Sequence, residues 1–197
     1  EKHGIEVVIA MDVSNSMLAS STGEDGGTSR LRTAKLMLEK LINKLDNDRV
    51  GLIVYAGEAY TLLPVTSDYV SAKMFLNSIN TDMVPVQGTD IAGAISAALN
   101  SFSDRKDVGK SLILITDVED LEGEALTAAQ SAKEMGVQVN VIGVGSSKGA
   151  IIPIGNGQYF RDDNGQVVTT LLNEQLGVDI AKEGGGIYVN ANNSDAL

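Results

Sequence analysis

The chain contains no cysteine. Disulfide frameworks, zinc–thiolate sites and thiol catalysis are thereby excluded. There is no tryptophan, and aromatic residues make up only 4%, so a core has to be built from Val, Ile, Leu, Ala and Met. The single histidine, His3, lies at the start of the chain, where exposure is expected. That leaves no His-based triad and no His-rich metal cage. No run of about 20 apolar residues occurs, so this segment has no membrane span. No signal peptide is visible, and the chain opens on Glu1 rather than Met, as expected of a processed or excised piece of something longer. Positive charge is scarce: 15 Lys and Arg stand against 26 Asp and Glu, for a net charge of −11. This argues against a nucleic-acid or anionic-lipid partner, which needs clustered basic residues. It agrees with cation binding or a basic partner, and equally with ordinary solubility.

What is present suffices for a folded domain. Hydrophobic residues make up 43% of 197 residues, and the mean hydropathy is +0.05. Short apolar runs alternate with amphipathic stretches, the pattern of βαβ units around a largely parallel sheet. The spacing predicts strands at Val7–Met11, Val50–Tyr55, Ala59–Leu63 (ended by Pro64), Ser111–Thr116, Val137–Val144 and Ile187–Asn190. The link Gly57-Glu58 is too short for anything but antiparallel pairing of the second and third strands. Helices are predicted from near Arg30 to Leu45, from Ser67 or Asp68 to about Ile79, over 90–102, over Glu122–Met135 and over Leu172–Lys182. Residues 149–170 read as an inserted hairpin, Ile151–Ile154 and Tyr159–Phe160 against Gln166–Thr170, with a turn at Asp162-Asp163-Asn164-Gly165. No repeat or domain boundary is visible. The expected fold is one doubly wound α/β domain over 1–197, with six strands, one of them an antiparallel edge, and helices on both faces.

The most informative stretch is the first strand, which runs into Asp12-x-Ser14-x-Ser16. In an extended chain these three alternate residues share a face, and they deliver a carboxylate and two hydroxyls to a strand's C-terminal end. Hard oxygen donors suit a hard cation such as Mg²⁺, and that edge of an open α/β sheet is where ligands bind. A lone DxSxS is also what loops and helix caps look like. Two further segments sharpen it: Thr89, in Gln87-Gly88-Thr89-Asp90, and Asp117, at the end of another apolar run. If those two strands are neighbours, Asp12 and Asp117 face each other and repel unless a cation or proton lies between them. Asp90 reads as a helix cap or as a support for the site.

The set Asp12, Ser14, Ser16, Thr89 and Asp117 resembles the metal-ion-dependent adhesion site of von Willebrand factor type A domains. Residues 30–69, VPVQGTDIAGAI (84–95), GAIIPIG (149–155) and DDNGQVVTTLLNEQL (162–176) further resemble the bacterial Bat aerotolerance proteins of the BatB type. The resemblance implies a non-enzymatic module. It implies that the hydroxyls of Ser14, Ser16 and Thr89, with Asp12 and Asp117 direct or through water, hold Mg²⁺ (Mn²⁺ or Ca²⁺ as substitutes). One position is then left for an Asp or Glu carboxylate of a partner protein. It further implies a periplasmic domain tethered to the bacterial inner membrane by helices outside this segment, acting beside other Bat proteins and a MoxR-type ATPase. One departure stands out. The family usually has Gly after the second aspartate, where this chain has Val118, which is expected to resist φ > 0 and to reshape the loop. Glu119 and Asp120 then read as a solvated acidic turn, and the loop Ala19–Ser29 as mobile.

Two alternatives stay open. One is a Mg²⁺-dependent phosphoryl-transfer hydrolase with Asp12 as nucleophile, although Ser14 stands where a second carboxylate is wanted and no Lys or Arg lies in the three site segments. The other is a metal-free scaffold. Gly143-x-Gly145 lacks the third glycine and the helix of a dinucleotide loop.

Overall fold

In a computed structural model of the chain, which describes residues 4–119 and 123–192, the first strand is Glu6–Asp12 (β1), buried at all seven positions. Its side chains alternate between two cores. Val7, Ile9 and Met11 point into one, Val8 and Ala10 into the other. Such a strand can only lie in the middle of a sheet covered on both faces.

The chain continues through α1 (Arg30–Asn43), β2 (Arg49–Tyr55), β3 (Ala59–Thr66), α2 (Tyr69–Ser78), α3 (Ile91–Ser101), β4 (Lys110–Thr116), α4 (Ala125–Glu134) and β5 (Val137–Gly143). Four short strands follow: β6 (Ala150–Ile151), β7 (Pro153–Gly155), β8 (Gln158–Tyr159) and β9 (Thr169–Thr170). The last elements are α5 (Glu174–Glu183) and β10 (Gly185–Asn190). The main sheet has the order β10-β5-β4-β1-β2-β3, with only β3 antiparallel. Helices α1 and α2 cover one face, and α3, α4 and α5 the other. This is the doubly wound, mostly parallel six-stranded architecture expected from the sequence, with one antiparallel edge and a small β insertion.

Caps set the helix starts. Ser29, Asp68, Asp90 and Asn173 each accept a backbone N–H from three residues on. The Asp90 carboxylate takes Gly93 N at 2.9 Å, which identifies it as a cap. The predicted start of the fourth helix at Glu122, His3 and Asp120 fall outside the described residues.

Two details differ from expectation. Pro64 does not end β3, which runs on to Thr66. It sits on the sheet's outer strand, where the pairing with β2 shifts register between Leu52 and Val50, so its missing N–H breaks no regular ladder. The insertion is not one hairpin but two small sheets, β6 with β9 and β7 with β8. Phe160 lies between them, donating its N–H to Ile152 O and accepting from Val168 N. The predicted turn is present: Gly165 N bonds Asp162 O at 2.9 Å, and Asp162 Oδ1 caps Asn164 N and Gln166 N.

The C-terminal helix is held by one aromatic ring across two glycines. A Cβ at Gly177 of α5 would lie 2.6 Å from Tyr188 Cε2, and one at Gly143 would overlap the Tyr188 hydroxyl. Tyr188 Oη reaches Glu174 Oε1 at 3.1 Å, and Asn190 Nδ2 reaches the same oxygen at 2.6 Å. Gly177→Ala is expected to displace this ring and lower stability by about 1–3 kcal/mol, the usual cost of overpacking. Urea denaturation checks this, and an unchanged midpoint would refute the close packing of α5 on β10.

Candidate metal centre

Because β4 pairs with β1, with Met11 opposite Ile115, the chain leaves the sheet side by side at Asp12 and at Asp117. Both carboxylates are fully buried. Ser14 donates its backbone N–H (2.9 Å) and its hydroxyl (2.6 Å) to Asp12 Oδ1. Thr116 Oγ1 donates to Asp12 Oδ2 at 2.8 Å. Ser16 Oγ donates to Asp117 Oδ2. Four of the five residues singled out from sequence, Asp12, Ser14, Ser16 and Asp117, thus form one connected network.

The fifth, Thr89, is not joined to that network by these hydrogen bonds. It is buried at the same edge of the sheet, one strand over. Asp90 N bonds Ala56 O at 2.8 Å, and Gly57 N bonds Val86 O at 2.9 Å. Gly57 and Gly88 touch closely enough that a Cβ on Gly88 would stand 3.4 Å from Gly57 Cα. Segment 87–89 is thereby laid against the end of β2, the neighbour of β1.

The donor set fits a hard cation. Ser14 Oγ and Ser16 Oγ lie 3.0 Å apart. Each hydroxyl has one hydrogen. With both hydrogens given to the carboxylates, the two oxygens meet lone pair to lone pair. A cation near both, or a proton on one carboxyl, relieves that contact. Among the described residues no three acidic, histidine or cysteine side chains cluster to hold a metal; this site has two carboxylates, and its remaining donors are neutral hydroxyls. Burial, and then the charge of Asp117, push the Asp12 carboxyl up to about 7, against hydrogen bonds from Ser14 and Thr116. Burial also pushes Asp117 up, opposed by Arg30 and Ser16.

Two members of the site were not foreseen. Thr116 holds Asp12 and also accepts Val118 N at 2.9 Å. Arg30 is the larger omission. It is the first residue of α1 and wholly buried, and its Nη1 stands 3.0 Å from Asp117 Oδ2. Nη1 also reaches Ser16 O (3.3 Å) and Thr170 Oγ1 (3.0 Å), and Nη2 reaches Thr170 O (3.2 Å). Thr170 in turn donates to Glu119 Oε1 at 2.6 Å, which also accepts Leu171 N at 2.9 Å. Glu119 is therefore tied to the insertion rather than to a free acidic turn. Gly145 makes room for the guanidinium, since a Cβ there would lie 2.7 Å from Nε; this, not a dinucleotide, is the use found for Gly143-x-Gly145. The available signal was a cation at a helix N-terminus, which the helix dipole disfavours.

Val118 corrects a second expectation. It does adopt the left-handed region, at φ 59°. Its side chain is wholly buried and packs against the α3–α5 core, near Gly177 of α5. Burial holds in place a conformation that costs a β-branched residue about 1–3 kcal/mol. Segment 19–29, expected to be loose, forms a small antiparallel turn, with Ser20 bridged to Ser29 and Ser21 N on Thr28 O at 2.9 Å.

The chain is similar to known proteins in family and fold. The family model for the von Willebrand factor type A domain matches residues 7–120. A crystal structure of an aerotolerance-related membrane protein from Bacteroides fragilis is 49% identical, covers 98% of this chain and 94% of its own, and superposes with a TM-score of 0.92. A conserved hypothetical protein, BatB, from Bacteroides thetaiotaomicron is 51% identical over 98% of this chain and 93% of its own, with a TM-score of 0.92. Proximal thread matrix protein 1 from the mussel byssus, described with a zinc-occupied MIDAS motif, shares the fold at 12% identity (TM-score 0.68, 98% of this chain, 43% of that one). The chain spans about half the length of the curated relatives it matches, 54% and 46%. No helix among the described residues is long and apolar enough to cross a membrane.

Two outcomes test the site without any ligand. Between the ordinary carboxylate range and about 7, the folded protein holds a proton on Asp12 that the unfolded chain has released. Stability must then fall as pH rises through that window. In chelator, the melting temperature is expected to drop from pH 5 to pH 8, and Asp12→Asn to flatten the slope; a rise with pH in the parent would contradict the buried carboxyl. For Val118, replacement by Ala keeps the strain and loses packing, whereas Gly loses packing and relieves strain. Val118→Ala is expected to cost about 1 kcal/mol or more beyond Val118→Gly, read from chemical denaturation, with the reverse order excluding strain.

Proposed function

The chain belongs to the von Willebrand factor type A domain family, and on that premise we propose that it is a metal-dependent protein-interaction module. Domains of this family commonly mediate protein interactions. The observation that carries the reading is the pair of fully buried carboxylates, Asp12 and Asp117, brought to adjacent strand tips and joined through two hydroxyls. Such a pair is costly without a counter-charge. Asp12, Ser14, Ser16, Thr89 and Asp117 are the residues that would hold Mg²⁺, or Mn²⁺ or Ca²⁺ in its place. When bound, the ion supplies positive charge that neutral hydroxyls do not cancel, and so attracts a carboxylate from an Asp or Glu of a partner protein.

The chain's own residues do the rest. Ser14 and Thr116 fix both oxygens of Asp12, and Ser16 fixes Asp117. The fold does bring one cation to the site, but the terminal nitrogens of Arg30 are already bonded to Asp117, Ser16 O and Thr170. The phosphoryl-transfer alternative therefore gains nothing from it. Similarity to the two Bacteroides proteins supports a place in a membrane-anchored Bat protein concerned with oxygen or stress tolerance. In this reading the domain faces the periplasm, tethered by helices outside this segment, with other Bat proteins as binding partners and a MoxR-type ATPase in the same system.

A cation that binds the folded state must stabilise it by mass action, by about 2.7 kcal/mol at a concentration about 100-fold above Kd. For a domain of this size that is roughly 5–10 °C. Thermal melts in chelator and then in millimolar Mg²⁺, Mn²⁺ and Ca²⁺ are expected to show such a rise, abolished in Asp12→Ala. No shift with any of the three ions would rule out the module in this form.

A further inference from the structure

The buried charge at the site is not that of two carboxylates alone. Arg30 is the third buried charge, carried by the first residue of α1, the end where a cation is least favoured. It meets Asp117 through one nitrogen rather than as a two-pronged pair, and its Nε has no partner. The rest of the guanidinium is fixed by Ser16 O and by both oxygens of Thr170. A buried arginine with one bond to a carboxylate and three to neutral oxygens is positioned more than it is neutralised. Other charges face it less closely. Glu119 lies on the Thr170 side, half-buried and bound to Thr170 Oγ1; its charge also acts on Asp117, but less than that of Arg30. Asp12 is on the far side of Ser14 and Ser16.

We propose that Arg30 is an internal competitor of the divalent cation for Asp117, which makes the site fill well only when a partner's carboxylate arrives with the metal. The inference rests on the metal-binding reading above and adds its regulation. With both carboxylates ionised, as a bound cation requires, the fully buried groups, two carboxylates and one guanidinium, carry one net negative charge. A divalent cation turns this into one net positive charge, which disfavours its own binding. One carboxylate from a partner brings the cluster to neutrality. Without Arg30, the metal alone would balance the two aspartates, and an added carboxylate would leave an excess of negative charge. Arg30 thus weakens the cation alone and strengthens the cation–carboxylate pair. It acts through Asp117, as a positioning residue and not a ligand.

The test uses Mn²⁺ as the metal and acetate as the carboxylate, with bound Mn²⁺ read from its electron paramagnetic resonance signal. The parent, Arg30→Gln and Arg30→Lys are titrated with and without tens of millimolar acetate. Arg30→Gln is expected to bind Mn²⁺ about tenfold more tightly than the parent without acetate. Acetate is expected to tighten Mn²⁺ binding several-fold in the parent and in Arg30→Lys, which keeps the charge, and to leave Arg30→Gln unchanged. Equal Mn²⁺ affinity in the parent and Arg30→Gln, or an equal acetate effect in both, overturns this inference while leaving the metal site standing. Mn²⁺ binding by none of the three overturns both. Absence of any acetate effect in the parent overturns the inference even if Arg30→Gln fails to fold.

Discussion

Two like charges buried at neighbouring strand tips set the terms for the structure around them. The sheet order puts β1 beside β4; β1 ends in Asp12, and Asp117 follows directly on the last residue of β4. Neither carboxylate touches solvent. Everything nearby serves to hold that arrangement. Ser14, Ser16 and Thr116 donate to it, Arg30 is carried in from α1, and Val118 is bent into the left-handed region so that the chain turns away directly after Asp117. The two helical layers supply the apolar packing that pins these polar parts, since a buried polar network is favourable only when its members are held and satisfied.

Arg30 also changes what the insertion is for. Residues 146–173 would read as a decoration on a sheet that is complete without them. Thr170, however, binds the guanidinium through its hydroxyl and its carbonyl, and Glu119 and Leu172 lace the adjoining backbone to the loops after β4 and β5. The insertion is thus the third wall of the site, beside the loops after β1 and β4. In the sequence, resemblance to the Bat proteins was carried in part by this same stretch, and the two Bacteroides structures cover it with the rest of the chain.

Much of the fold was legible because its signals are local. β1, β2 and β4 carry apolar runs that read as buried strands, β5 alternates Val with polar residues in its first half, and caps such as Ser29 and Asp68 mark helix starts within a residue. The neighbouring of β1 and β4 was only conditional, because strand order lies in no local stretch. Arg30 was missed for the same reason: 87 residues separate it from Asp117, and an arginine opening an amphipathic helix reads as solvent-facing. Val118 was misread in the other direction. Propensity argued against a left-handed valine, and packing against the α5 side of the core outweighed it. Thr89 stands between these cases: the structure puts it at the right edge of the sheet, but the hydrogen bonds of the site do not reach it.

One of the two outer strands of the sheet, β3, bears on how copies of the domain meet. An open β edge is a template for another chain, and β3 is eight residues long. Pro64 removes one donor from that edge, and the register shifts twice along the pairing with β2. A second copy approaching this strand would find no unbroken row of hydrogen-bonding groups. Edge-to-edge pairing of two copies through β3 is thereby disfavoured.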